Sequence, residues 1–204
     1  MLGRVAALDS ESGVVPGSNA RAQANDYMER YASGDDSAFS DLYEALAPPL
    51  YRYLARQTRD PVRAEDLLQQ TMLQIHTHRS RFWPGANVTP WAYAIARRLL
   101  INSYRRRSRE AAATPSHWAE EGAVGTQPLD DLLHTKRVAS ALDRELARLP
   151  EAQRVAFELI KKEGLSVREV AEILGTTVTA IKLRAHRAYV ALRAALGEEA
   201  LESD

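Results

Sequence analysis

The chain has 204 residues, 27 basic and 27 acidic side chains, and a hydrophobic fraction of 45%, enough for one domain with a core or for two small ones. Zero cysteines exclude a disulfide framework, a cysteine-based metal site and a thiol switch. No run of about twenty apolar residues offers a membrane span, and no continuous apolar block lies between Arg4 and Arg21, so neither membrane insertion nor a secretory leader is expected.

Residues 1–24 are rich in Ala, Gly and Ser without helical period and read as a disordered tail. Asn25 is placed to cap a short helix running to about Ala32, which Gly34 closes. The next helix starts at Asp36. Phe39, Leu42, Tyr43, Leu46 and Leu50 share one face, and Pro48-Pro49 is expected to kink or divide it. Asp60-Pro61 is a start signal, a capping carboxylate followed by a proline at the first helical position. The helix behind it buries Ala64, Leu68, Thr71, Met72 and Ile75 and turns Glu65, Asp66, Gln69, Gln70 and Leu73 outward. A loop from Arg81 to Thr89 precedes a Thr89-Pro90 start and a helix from Trp91 to about Arg107, apolar at Trp91, Ile95 and Leu99.

From about Ser108 the composition shifts to Ala, Thr, Pro, Ser and Gly, which reads as a flexible linker over 110–129. A second unit spans 130–197 and is followed by a tail, 198–204, with no regulatory domain expected beyond it. Val138, Leu142, Leu146 and Leu149 form a helix stripe ending before Pro150, and another helix runs to about Lys162 and ends at Gly164. Ser166 and Glu169 have capping-box spacing, with Val167, Val170, Ala171 and Leu174 inward. Gly175 ends that short helix, and Thr177 caps a last one that buries Ile181, Ala185, Ala188, Leu192 and Leu196. No strand alternation occurs, so the fold class is all-α: two small helical domains joined by a flexible linker.

The zero net charge hides a pattern. Residues 91–109 hold six arginines and no acid, and residues 160–196 hold seven bases against three acids. The intervening 110–150 has seven acids against four bases. Two basic islands suit two separate polyanion contacts. In the second island, two helices around Gly175 make a helix-turn-helix, because glycine takes positive φ without a Cβ clash and lets the second helix leave steeply. That helix turns Thr177, Thr179, Lys182, Leu183, His186 and Arg187 outward, where a major groove is read. In the first island Arg98, Arg105 and Arg109 share a face, near Trp83, Trp91 and Tyr93, a combination that grips phosphates and stacks unpaired bases. The bland reading of Trp91 is core. His76 and His78 point to different sides of a helix and do not make a metal site. No catalytic constellation or cofactor loop stands out, so neither an enzyme nor a cofactor is expected.

These segments resemble the extracytoplasmic-function (ECF) group of the sigma-70 family, over residues 25–109 and 130–197 in the same order. Ala64-Glu-Asp-Leu-Leu-Gln-Gln-Thr-Met72 is similar to the stretch that docks on core RNA polymerase. The resemblance implies that role for Asp66, Gln69 and Gln70, with Gln70 standing where the family usually has Glu. The segment Trp91 to Arg107 resembles the part that melts and reads the minus-ten element, and Phe82 to Thr89 the loop that captures a flipped base. That assigns Trp83, Asn87, Trp91, Arg98, Asn102, Arg105 and Arg106 to the minus-ten element. Arg98 replaces a frequent Asn, and Asn102 a frequent Asp. The resemblance places Thr177, Thr179, Lys182, Leu183, His186 and Arg187 at the minus-thirty-five element, with Leu183 where Ser is common.

The function implied is that of a cytoplasmic sigma factor which directs core polymerase to promoter DNA and aids melting. It also implies control by an anti-sigma factor, in some relatives membrane-anchored. The alternative is a helix-turn-helix regulator with an N-terminal sensor domain, which would bind a ligand or dimerise through the first half instead of binding polymerase. A nucleic-acid-processing enzyme built on the arginine helix lacks acidic metal ligands nearby.

Overall fold

A computed structural model describes residues 18–113 and 133–196. The tail expected before residue 18, most of the linker, Val138's side chain and the 198–204 tail lie outside the described residues. The described elements are helices: α1 (Ser18–Ala32), α2 (Ala38–Thr58), α3 (Pro61–His78), a 3-10 turn (Arg79–Arg81), α4 (Val88–Ala113), α5 (Leu133–Arg148), α6 (Glu151–Lys161), α7 (Val167–Leu174) and α8 (Val178–Leu196). Helices α1 to α4 pack as one bundle, α5 to α8 as another, and α7 lies against α4.

Several helix ends follow from local backbone chemistry. Asp60 accepts hydrogen bonds from the N–H groups of Val62 and Arg63, with Pro61 beginning α3. Ser166 and Glu169 form the full capping box of α7. Gly175 ends α7 at φ 59°, and the Thr177 hydroxyl accepts from Ala180 N at 3.2 Å to open α8. Each device satisfies a helix-end group that has no partner inside the helix.

Other expectations are corrected. Residues 18–24 belong to α1 and not to a tail, and Asn25 is interior to that helix instead of capping it. The helix expected from Asp36 begins at Ala38, after a turn in which the Asp35 carboxylate accepts from Ser37 N at 3.1 Å. Pro48 and Pro49 do not divide α2, which continues through both. The hydrogen bonds they forgo are offset by burial on either side, at Leu46, Ala47, Leu50, Tyr53 and Leu54. Helix α4 starts at Val88, and the cap is Asn87, whose Oδ1 accepts from Thr89 N at 3.1 Å; Thr89 itself is buried in the first turn. The same helix continues to Ala113, past the expected start of the linker. Its inner stripe is Ala92, Tyr93, Ile95, Ala96 and Leu100, whereas Trp91 and Leu99 are only half-buried.

The two bundles do not stand apart. One contiguous core joins Met28, Leu42, Tyr53 and Ile95 to Leu159, Leu165, Val170 and Ile181. A smaller cluster, Leu146, Phe157, Ala188 and Leu192, lies within the second bundle.

Replacing Asp60 by Ala removes the cap of α3 and should cost about 1 kcal/mol. The change is read as a lower urea midpoint with an unchanged slope; an unmoved midpoint refutes the role.

Candidate nucleic-acid interface

The loop before α4 is held by side chains from α1. Asn25 Oδ1 accepts from Val88 N at 2.9 Å, and Glu29 Oε1 accepts from Gly85 N at 2.8 Å. Ala86 N closes a turn onto Trp83 O at 3.0 Å. Phe82 is buried and packs on Trp91, with ring centroids 5.6 Å apart. Trp83 points the other way and is 79% exposed. The loop backbone is pinned while a large aromatic ring stays bare to solvent, which leaves that ring open to stacking.

On α4, Arg98, Asn102, Arg105 and Arg106 are all exposed. Residues 98, 102, 105 and 109 recur at helical spacing and make one polar stripe. Arg106 pairs with Glu110 at 3.5 Å, an exposed pair that does little to neutralise the stripe. Arg63 from α3 lies over the Tyr104 ring at 4.6 Å, and the Tyr104 hydroxyl donates to Gln57 O at 2.6 Å. Trp91 is half-buried, so its ring serves mainly to seat Phe82.

Tyr93, expected beside the tryptophans as a stacking group, is 2% exposed and faces the second bundle. Its hydroxyl donates to Glu163 Oε2 at 2.8 Å, and burial pushes its ionisation above the ordinary tyrosine range, so it remains a donor. Asn87 is half-buried: its carbonyl caps α4 and its amide donates to Glu169 Oε1 at 2.7 Å.

On α3 the expected outward residues Asp66, Gln69 and Gln70 are exposed, with Gln70 Nε2 donating to Asp66 Oδ2 at 2.9 Å. Beside them Leu73 is 60% exposed, an apolar side chain on the same outward face. On α8 and its cap, Thr177, Thr179, Lys182, Leu183, His186 and Arg187 are all exposed, with Ile181, Ala188 and Leu192 buried behind them.

Arg21, Asn25 and Glu29 of α1 were not anticipated as part of this region. Their four-residue spacing, one helical face, was the available signal; the surrounding Ala- and Ser-rich composition masked it.

Residues 42–110 match the sigma-70 region 2 family, and residues 139–192 match sigma-70 region 4. The chain is 36% identical over 182 residues to the RNA polymerase sigma factor CarQ of Myxococcus xanthus, covering 86% of this chain and 98% of that one. The chain belongs to the ECF group of the sigma-70 family. Another relative in the group is the ECF sigma factor SigF of Caulobacter vibrioides, 35% identical over 167 residues, covering 81% of this chain and 89% of the relative. Among solved structures, the sigma factor RpoE of Bartonella quintana, in complex with the anti-sigma factor NepR, superposes with a TM-score of 0.64 at 26% identity, covering 81% of this chain and 98% of that one. The all-α, two-unit architecture is therefore that of an ECF sigma factor. Its α1–α4 bundle contains the region 2 match, and its helix-turn-helix lies within the region 4 match.

Trp83→Ala should leave stability within about 0.5 kcal/mol of wild type, because the ring is solvated. Tyr93→Phe should cost ~1.5–3 kcal/mol by removing a hydrogen bond to a buried carboxylate. Urea denaturation of both variants checks the assignment, and the reverse ranking would refute it.

Proposed function

We propose that the two units divide the promoter between them. In this reading a unit over residues 25–109, extended by the start of α1, binds core polymerase and the minus-ten element. A unit over residues 130–197 binds the minus-thirty-five element, and the stretch between Ala113 and that unit serves as the tether. The observation that carries the reading is the solvated arginine stripe of α4 together with the bare Trp83 in its pinned loop.

The stripe neutralises backbone phosphates, and Trp83 stacks a base that has left the duplex, each such stack being worth about 1–3 kcal/mol. Favouring unstacked bases favours strand opening and requires neither a nucleotide cofactor nor a catalytic group. Asn87, Arg98, Asn102, Arg105 and Arg106 contribute polar contacts to the same strand, and Trp91 supports the loop. Lys182, His186 and Arg187 take base edges and phosphates upstream, Thr177 and Thr179 approach the backbone at the start of α8, and Leu183 offers an apolar contact such as a thymine methyl. Asp66, Gln69 and Gln70, with Leu73, dock on core polymerase. Polymerase then holds both units on one duplex, so that the second contact is effectively intramolecular and two weak sites act as one strong one.

Among the described residues no helix is long and apolar enough to cross a membrane. The site of action follows polymerase, in the cytoplasm. RpoE of Bartonella quintana was solved in complex with an anti-sigma factor, and we propose that a partner of that class restrains this chain.

Replacing Asp66 by Lys together with Gln69 by Ala should weaken binding to core polymerase; equal affinity by titration against labelled core refutes the docking face. In transcription with core polymerase on genomic fragments, the two DNA sites should separate. Arg105→Ala with Arg106→Ala should lower permanganate reactivity of the melted bases, whereas Arg187→Ala should weaken the upstream footprint. Normal melting in the first, or a normal footprint in the second, refutes the corresponding site.

A further inference from the structure

The loop that carries Trp83 holds a single charge. From Arg81 to Thr89 the only ionisable side chain is Arg81 itself, and from there to Arg109 the sequence has no acid. Arg81 closes the 3-10 turn, and Phe82 follows in extended backbone at φ −70° and ψ 125°. Side chains alternate along an extended chain, so residues 81 and 83 leave on the side opposite Phe82. Burial agrees: Phe82 is buried, whereas Arg81 and Trp83 are exposed. A guanidinium and an indole thus rise from backbone positions about 7 Å apart, on one solvent face.

Acids that reach the turn and its loop are already occupied. Asp36 pairs with Arg79 at 2.9 Å, and the Arg79 guanidinium lies over the Tyr31 ring at 4.7 Å. Glu29 accepts from Gly85 N at 2.8 Å. The Arg81 guanidinium, by contrast, has no ion pair or hydrogen bond among the described residues. A solvated arginine alone is ordinary. Beside an exposed indole, in a loop whose backbone is tied down, it completes a pair suited to single strands: a ring for a base and a cation for a phosphate.

We propose that Arg81 holds the phosphate flanking the base that Trp83 stacks, so that the loop grips one nucleotide at both ends. The proposal rests on the reading of Trp83 given above. Stacking tolerates any base. A cation at a fixed offset from the ring adds register, because it selects which nucleotide along the strand is presented to the ring. Arg79, held by Asp36 and Tyr31, anchors the turn from behind.

The test uses this chain bound to core polymerase. The probe is a fluorescein-labelled single strand, copied from the non-template strand of a genomic fragment on which the wild type initiates. Arg81→Ala should weaken binding several-fold. It should also lower the slope of log affinity against log salt by about 0.7, the amount for one phosphate of a single strand. Arg81→Lys should keep the slope and part of the affinity, since it retains the charge and loses the planar fork. Abasic substitutions, one position at a time, locate the captured base as the position where wild type loses affinity and Trp83→Ala does not. Methylphosphonates, each of which removes one phosphate charge, should weaken wild type but not Arg81→Ala at a phosphate adjoining that base.

Equal affinity and salt slope for wild type and Arg81→Ala overturn the proposal. So does a methylphosphonate effect that is the same in both at every position, or a coupled phosphate that does not adjoin the captured base. If Trp83→Ala binds like wild type, the base-stacking reading fails, whereas the salt slope and the methylphosphonate scan still decide whether Arg81 holds a phosphate.

Discussion

Glu163 follows α6 with its carboxylate almost wholly out of water, and the association of the two bundles depends on how that charge is neutralised. A buried carboxylate without partners is too costly to keep, whereas one that meets a guanidinium and a phenol is sustainable. The partners come from separate elements, Arg56 on α2 and Tyr93 on α4, so the pairing fixes α6 relative to both at once. Arg21 adds a third element by reaching the carbonyls of Glu163 and Gly164, where Gly164 adopts φ 61° and presents them. The apolar contacts around this cluster supply attraction without direction; the polar groups set the orientation.

Helix α1 has a second task on its other contacts. Asn25 and Glu29 satisfy backbone N–H groups of the Gly85–Val88 turn, which would otherwise have to seek water. The loop backbone is thus ordered before any ligand arrives, and the entropy of arranging it is spent during folding, not during binding. The same helix that orders this loop also reaches the second bundle through Arg21.

The parts of this architecture legible in the sequence are those decided within a few residues. Asp60-Pro61, the Ser166–Glu169 box, Gly175 and Thr177 each act on a backbone group one to four positions away, and each was readable from spacing alone. The outward faces of α3 and α8 were readable for the same reason, since helical period determines them once the inner residues are found. Misread positions were decided by distant neighbours. Two adjacent prolines argue for a break, but Leu46, Leu50 and Tyr53 bury enough surface to carry α2 through them. Asn25 looks like a cap until Val88, sixty-three positions on, claims its oxygen. Tyr93 resembles its aromatic neighbours in type and differs only in facing a carboxylate from another bundle. The charge pattern suggested two free modules; nothing local announced that carboxylates of one would satisfy donors of the other.

Asn87 serves two masters with one side chain: its oxygen secures the first turn of α4, while its nitrogen reaches Glu169. These demands are chemically separable. Loss of Glu169 would free the nitrogen alone, and the helix would keep its first turn. Aspartate at this position would retain the turn and repel Glu169; serine would retain it and reach nothing. An amide thus suits a position that must anchor one helix and, with the same side chain, reach a neighbour in the other bundle.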